Sequence, residues 1–271
     1  MKKYSVLMSV YSKDNGEYLK LAIDSMINQT LKPDEIVIVK DGKIPSSLEK
    51  VIKDAKLKFS KIVEVQLKTN VGLGLALNEG LKVCKNELVA RMDADDISLL
   101  ERCKKQVLMF EKNKKLDIVG CPVLEFSDNP ENIIGKRRVP LTYKEIYNYS
   151  KKRDAFNHPT VMYKKSKVLK CGGYGDYRKN QDTDLWIKML ASGSQAMNLD
   201  EELFLFRFDE NTYKKRKNWL NTKTLIKIRW NAYKIGFSSL LDFLIISVIQ
   251  LAIFVLPVSF QKFVYKKVLR R

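Results

Sequence analysis

Three carboxylates crowd the end of an apolar run in the segment Ala90-Arg91-Met92-Asp93-Ala94-Asp95-Asp96. Like charges this close repel, and a divalent cation relieves the repulsion. Mg²⁺ and Mn²⁺ prefer carboxylate and phosphate oxygens. The chemistry expected here is therefore metal-assisted binding of a diphosphate by the cluster of Asp93, Asp95 and Asp96. Helix capping is the plain alternative, since Asp favours first turns. Ser98 and Glu101 already fill that cap, which leaves the aspartates in surplus. A second acidic group, Asn180-Gln181-Asp182-Thr183-Asp184-Leu185-Trp186, precedes an amphipathic helix. Asp182 there either caps the helix or takes the proton of an incoming hydroxyl, a role worth ~10²–10⁴ in rate.

Three further segments have the right composition to touch a ligand. In Lys40-Asp41-Gly42 a carboxylate follows an apolar strand and can accept a hydrogen bond from a base or ribose; an Asp-Gly turn with no ligand fits equally well. The run Asn70 to Gly80 opens with Asn70-Val71-Gly72, and its glycines let backbone N–H groups approach a ligand, or simply close a tight turn. Phe156-Asn157-His158-Pro159-Thr160 holds the single histidine, which is either a structural hydrogen-bonder or a contact to acceptor or phosphate.

These groups need a scaffold, and the stretch from Met1 to Pro130 supplies one by alternating two periods. Strands are expected at Tyr4 to Val10, Glu35 to Lys40, Ile62 to Leu67, Leu88 to Met92 and Asp117 to Phe126. Helices are expected at Glu17 to Gln29, Ser46 to Phe59, Leu75 to Val83, and from the Ser98/Glu101 cap to Lys112. Ser46 and Glu49 have capping-box spacing. Strand–helix alternation predicts an α/β fold, a mostly parallel sheet flanked by helices, with ligands at the carboxyl ends of the strands. Beyond Ile133 the pattern is mixed, with a capped helix at Thr142 to Tyr149, a glycine-rich turn at Gly172 to Gly175 and a helix from Thr183 to Ser192. After Arg207 comes a basic stretch, Asn211 to Lys217. A helical segment, Trp219 to Tyr233, follows it, and then the apolar run Leu240 to Leu256.

The net charge of +19 calls for anionic partners. From Glu201 to Arg271 there are fourteen Lys and Arg against five Asp and Glu. Nucleic acid is not the expected partner, because a carboxylate cluster at a strand end repels phosphate unless a metal bridges them, and no aromatic RNP pattern is present. The four cysteines form no C-x-x-C pair and have one histidine to join them, so a zinc site is excluded and reduced, buried thiols in the cytoplasm are expected. The short apolar run after Lys2 and Lys3 is not a secretory signal.

In order along the chain, these segments resemble the family 2 glycosyltransferases of the GT-A, or nucleotide-diphospho-sugar transferase, fold. The segment Ser5 to Thr30 followed by PDEIVIVKDG resembles the family's opening strand, helix and base-binding strand. NVGLGLALNEG resembles its next motif, ARMDADD its D-x-D segment, and GGYGDYRKNQDTDLW its acceptor loop and catalytic helix. GKRRVP and FNHPTVMYKKS resemble the amylovoran and capsule branch, which builds bacterial exopolysaccharide.

The resemblance implies a nucleotide-sugar donor, with UDP as the expected nucleotide, held by Asp41, Asn70, Gly72 and Asp93. It implies Mg²⁺ or Mn²⁺ on Asp95, Asp182 as base, and an acceptor side including His158, Gln181 and Trp186. It also implies inversion at the anomeric carbon and a lipid-linked glycan acceptor. Two positions depart from the family pattern: Lys40 stands where many members have a second acid, and Gln181 where a Glu is usual. The Q-x-x-R-W pattern of processive synthases is missing near Arg216 to Trp219, so one sugar per encounter is expected. The expected layout is a catalytic domain at 1–210, with a nucleotide-sugar half at 1–130 and an acceptor half at 131–210. A basic, helical tail at 211–271 follows, expected to lie on the anionic inner face of the cell membrane, with a single membrane span or a helix packed against the catalytic domain as the alternatives. The rival reading is a sugar-phosphate nucleotidyltransferase, which shares the sheet and the D-x-D logic.

Overall fold

The structure, a computed structural model, describes residues 1–208 and 218–256. Strand β1 (Tyr4–Val10) leads through helix α1 (Gly16–Ile27) to β2 (Glu35–Lys40), then α2 (Ser46–Lys58), β3 (Ile62–Gln66), α3 (Leu73–Val83) and β4 (Leu88–Met92). The short β5 (Ile97–Ser98) precedes α4 (Arg102–Lys112). β6 (Leu116–Gly120), β7 (Val123–Phe126), β8 (Ile133–Arg137) and α5 (Tyr143–Ser150) follow. A 3-10 turn at His158–Thr160 delivers the chain to β9 (Met162–Lys164), α6 (Lys165–Lys170), α7 (Gln181–Ala191), β10 (Gln195–Asn198) and β11 (Phe204–Arg207). Two helices end the described chain, α8 (Trp219–Lys234) and α9 (Leu240–Val255).

Seven strands form the main sheet in the order β10-β6-β9-β4-β1-β2-β3. Pairing is parallel throughout except at β9, which runs antiparallel to both β4 and β6. The central strands are apolar without alternation because both faces are covered. Val6, Met8 and Val10 of β1 pack toward α1, α2 and α4, while Leu7 packs toward α3 and the later helices. A four-stranded sheet, β5-β11-β7-β8, sits beside the strand ends. The expected α/β fold with a mostly parallel, helix-flanked sheet is what the chain adopts.

Local details depart from the sequence expectation. The expected strand Asp117 to Phe126 is two strands in different sheets, broken at Cys121-Pro122, since proline cannot donate to a ladder. Ser46 does not cap α2: Pro45 stands at the cap with no side-chain bond, and Glu49 instead pairs with Lys40 at 3.1 Å. Ser98 and Glu101 do not cap α4 either; Ser98 lies in β5, where its hydroxyl accepts from Gln29 Nε2 at 3.1 Å. The Thr142 cap is present, as a full capping box with Glu145.

Helix α8 packs on α7, and α9 folds back along α8, with Trp230 against Phe243 at 5.1 Å and Trp219 against Phe254 at 5.3 Å between ring centroids. Asp242, an interruption of the apolar run in sequence, is the N3 member of a capping box with Ser239. Only Ile246 of α9 is buried; Leu241 and Val248 are each 66% exposed and Val255 75%. Among the described residues no helix is long and apolar enough to cross a membrane. The basic stretch at 211–217 and the closing residues Lys262, Lys266, Lys267, Arg270 and Arg271 lie outside the described residues.

Candidate active site

The carboxyl ends of β2 and β4 place two of the sequence-predicted acids. Asp41 follows β2 and Asp93 follows β4, with β1 between the two strands. One ligand oxygen from each of Asp93, Asp95 and Asp96 lies within 4.8 Å of the others. Asp95 is exposed, Asp93 half-buried and Asp96 wholly buried. Burial, then the charges of Asp95 and Asp93, hold the Asp96 carboxyl well above the usual range. Its Oδ1 accepts from the Arg207 backbone N–H at 2.7 Å, and its buried Oδ2 has no partner. An all-oxygen donor set with an orphaned buried oxygen and mutual repulsion fits a divalent cation.

Two arginines steady this cluster, Arg91 from within the acidic segment and Arg207 from outside the sequence motifs, and neither is among the expected site residues. Arg91, fully buried in the middle of β4, ion-pairs with Asp93. Arg207 ends β11; its Nε donates to the Asp95 carbonyl at 2.9 Å, and its guanidinium lies 3.6 Å from the Tyr18 ring centroid. An arginine inside the run LVARM is the available signal for the first, because such a charge is buried only when paired.

Asp41 and the glycine turn form one unit. The Asp41 carboxylate accepts from Val71 N–H at 2.7 Å, Gly72 N–H at 3.0 Å and Asn70 Nδ2 at 3.0 Å. The amides that the sequence offers to a ligand are thus engaged by Asp41. Gly72 has φ +94°, a conformation that L side chains rarely adopt, and a Cβ there would sit 3.0 Å from Arg178 Nη1. Arg178 in turn donates to Asn70 Oδ1 at 2.9 Å, so the loop ahead of α7 clips the turn from outside. Lys40 is paired with Glu49 and Glu64.

Asp182 stands in the first turn of α7, behind Asn180, whose φ of 58° is the one left-handed non-glycine conformation among the described residues. Asn180 Nδ2 donates to Asn221 Oδ1 of α8 at 3.0 Å, which holds that conformation. Burial first, then the nearby charge of Asp154, pushes the Asp182 carboxyl up to about 7, against backbone N–H donors and Arg137. Asp184 is instead committed to an ion pair with Lys188 at 2.5 Å. Gln181 is buried where α7 meets α3: a Cβ on Gly74 would lie 3.0 Å from its Cγ.

His158 Nε2 shares a hydrogen bond with the Tyr174 hydroxyl at 3.1 Å. Burial, with Arg91 nearby, holds His158 well below the ordinary imidazole value, so it is neutral at pH 7. Both Asp182 and Asp93 bear electrostatically on the buried Tyr174 hydroxyl, so both acidic groups lie near one side chain. Trp186 does not reach the surface. It is 2% exposed within a cluster of Phe156, His158, Tyr163 and Tyr174, and so it supports these rings from behind rather than meeting an acceptor.

Residues 5–173 match the family model described as glycosyl transferase family 2. The chain belongs to that family. This glycosyltransferase is 38% identical over 269 residues to the UDP-Gal:alpha-D-GlcNAc-diphosphoundecaprenol beta-1,3-galactosyltransferase of Escherichia coli, covering 99% of this chain and 97% of that one. It is 34% identical over 268 residues to the amylovoran biosynthesis glycosyltransferase AmsE of Erwinia amylovora, covering 97% and 98%. Its fold is similar to that of the mannosyltransferase PcManGT from Pyrobaculum calidifontis, solved with GDP-Man and Mn²⁺. The TM-score is 0.63 at 14% identity, covering 98% of this chain and 79% of that one. Membership of the family sets aside the nucleotidyltransferase alternative.

The Asp41 geometry makes a prediction for the glycosyltransferase. Asp41→Ala removes three hydrogen bonds to a carboxylate and costs about 2–4 kcal/mol of stability, measurable by denaturant unfolding. It weakens nucleotide binding more than metal binding, because what it holds in shape is the turn at residues 70–72 and not the Asp93 cluster. Equal loss of both affinities would move Asp41 into the metal cluster.

Proposed function

We propose that this glycosyltransferase moves one sugar per encounter from a UDP-sugar to a hydroxyl of a lipid-linked glycan, with inversion, in bacterial surface polysaccharide synthesis. The observation that carries the reading is the pair of acidic groups: an oxygen-donor cluster of Asp93, Asp95 and Asp96 at a strand end, and Asp182 in the first turn of α7, its carboxyl pushed up to about 7. A base of that strength is half deprotonated near neutrality and strong enough to take a proton from a hydroxyl as it attacks. Asp95, with Asp93, would hold Mg²⁺ or Mn²⁺, which when bound neutralises charge on the departing diphosphate. Asp41 holds the Asn70–Gly72 turn in shape for the nucleotide, and Arg91 fixes the Asp93 carboxylate. Neutral His158 lies on the acceptor side, positioned through Tyr174, while Gln181 packs the start of α7 against α3. The donor and acceptor classes are supported by the name of the Escherichia coli relative, and the polysaccharide context by that of the Erwinia amylovora relative.

The α8–α9 hairpin supports attachment to the inner face of the cell membrane. Leu241, Leu244, Val248 and Val255 leave α9 with an exposed apolar surface, and the sequence that follows is basic. A helix lying in the interface, apolar side down with cations over acidic headgroups, meets both features. Attachment raises the effective concentration of a lipid-linked acceptor.

One experiment tests both parts. Full-length protein is given a panel of UDP-sugars with a polyprenyl-diphosphate-linked N-acetylglucosamine, in anionic vesicles or on a short soluble tail. One UDP-sugar releases UDP in step with a product one sugar longer and of inverted anomeric configuration. The double substitution Leu241→Lys with Val248→Lys no longer floats with vesicles and is at least ~10-fold slower on the embedded acceptor, yet keeps its rate on the soluble one. Failure with every UDP-sugar sinks the donor reading; flotation of the double variant like the parent sinks the membrane part alone.

A further inference from the structure

Asp154 lies in the loop after α5 and belongs to none of the sequence motifs. Its Oδ1 accepts from Thr183 Oγ1, the residue next to the base Asp182, at 2.8 Å. The same oxygen is 3.8 Å from Nη2 of Arg229, which is 2% exposed and comes from α8. Arg229 Nη1 donates to the Ser150 carbonyl at 2.6 Å at the end of α5, and Arg137 Nη2 of β8 donates to the Asp154 carbonyl at 3.1 Å. Two arginines from separate elements therefore hold one half-exposed aspartate against the first turn of the catalytic helix. Burying a guanidinium is costly, and so long a salt bridge returns little of that cost; the other described hydrogen bond of Arg229 is to a backbone carbonyl.

We propose that Asp154, bonded to Thr183 and paired with Arg229 of the C-terminal helix α8, is a positioning residue for Asp182 on α7. The inference rests on the reading of Asp182 as the base. An aspartate beside a second carboxylate keeps its proton more tightly, and the charge of Asp154 is the strongest influence on Asp182 after burial. The other groups facing Asp182 are Arg137 from β8, which opposes the effect, and the Tyr174 hydroxyl from the glycine-rich loop. Asp184 and Lys188, further along α7, neutralise one another.

The test is the pH profile of kcat/KM for the full-length protein on a soluble acceptor. Asp154→Asn keeps an acceptor for Thr183 and removes the charge. The acid limb moves down by about one pH unit, the plateau falls several-fold because the base is weaker, and KM for the nucleotide sugar is unchanged. Arg229→Gln removes the countercharge of Asp154 and moves the limb the opposite way. An Asp154→Asn protein with the parent's acid limb overturns the proposal, whether or not Arg229→Gln folds. Asp182→Asn is run alongside: full turnover there removes the base reading itself. A dead Asp182→Asn with an unmoved Asp154→Asn limb removes the positioning role alone.

Discussion

Asp182→Asn lowers kcat by at least ~10², with nucleotide-sugar affinity within about twofold of the parent. The amide has the size of the acid and can still accept the backbone N–H bonds of the first turn, so the fold of α7 is retained. What is lost is the lone pair that takes the acceptor's proton, an interaction made only as the reaction proceeds, so the loss appears in kcat rather than in binding. The unmodified protein carries the matching signature. Its base is active when deprotonated and titrates at about 7, so kcat/KM falls tenfold per unit below that pH, where an ordinary aspartate would hold the rate down to about pH 4. Asp184→Asn is the control: it breaks the pair with Lys188 and costs stability more than rate. Greater damage from Asp184→Asn than from Asp182→Asn would show the base to be misassigned.

Removing the cation site has the other large effect. Asp95→Asn, or excess EDTA, lowers turnover by about 10³ or more, since charge on a departing diphosphate is then left without a counterion. Asp95 is exposed, and it is one of three crowded carboxylates, so the same substitution leaves the metal-free protein at least as resistant to heat as the parent. Thermal unfolding with and without Mn²⁺ separates the two effects: the ion raises the midpoint of the parent and not of the variant. Full turnover in EDTA would show that the cluster serves some purpose other than holding a catalytic ion.

Much of this arrangement can be read from the chain. Unbroken apolar strands such as EIVIVK announce a sheet covered on both faces, and acids directly behind such strands fall at the carboxyl edge because that is where the strands end. Asp182 stands out because two acids lie at the start of an amphipathic helix, although the sequence alone leaves it open between a cap and a base. The residues missed are those whose partners are distant in sequence. Asp154 acquires meaning only when α8 brings Arg229 beside it from far down the chain, and Asp41 gives no local sign that it accepts from residues 70–72. Trp186 misleads because an aromatic residue on a helix looks the same from sequence whether it faces a cleft or a core. The caps at Ser46 and Ser98 do not form because neighbouring tertiary contacts decide where each helix begins.

Strand β9 bears on how the protein is made. β6 finds both of its neighbours, β9 and β10, well beyond it along the chain, on the far side of β7, β8 and α5. β4 likewise has an open side until β9 arrives antiparallel within it. The chain up to Pro130 can therefore assemble β4-β1-β2-β3 and no more of the main sheet. A ribosome that has released only that stretch holds a half-sheet with an unpaired, apolar edge, the kind of surface that recruits other strands. The stretches before and after Pro130 are continuous through this strand, so neither is a module that evolution or an engineer can exchange there without re-closing the sheet.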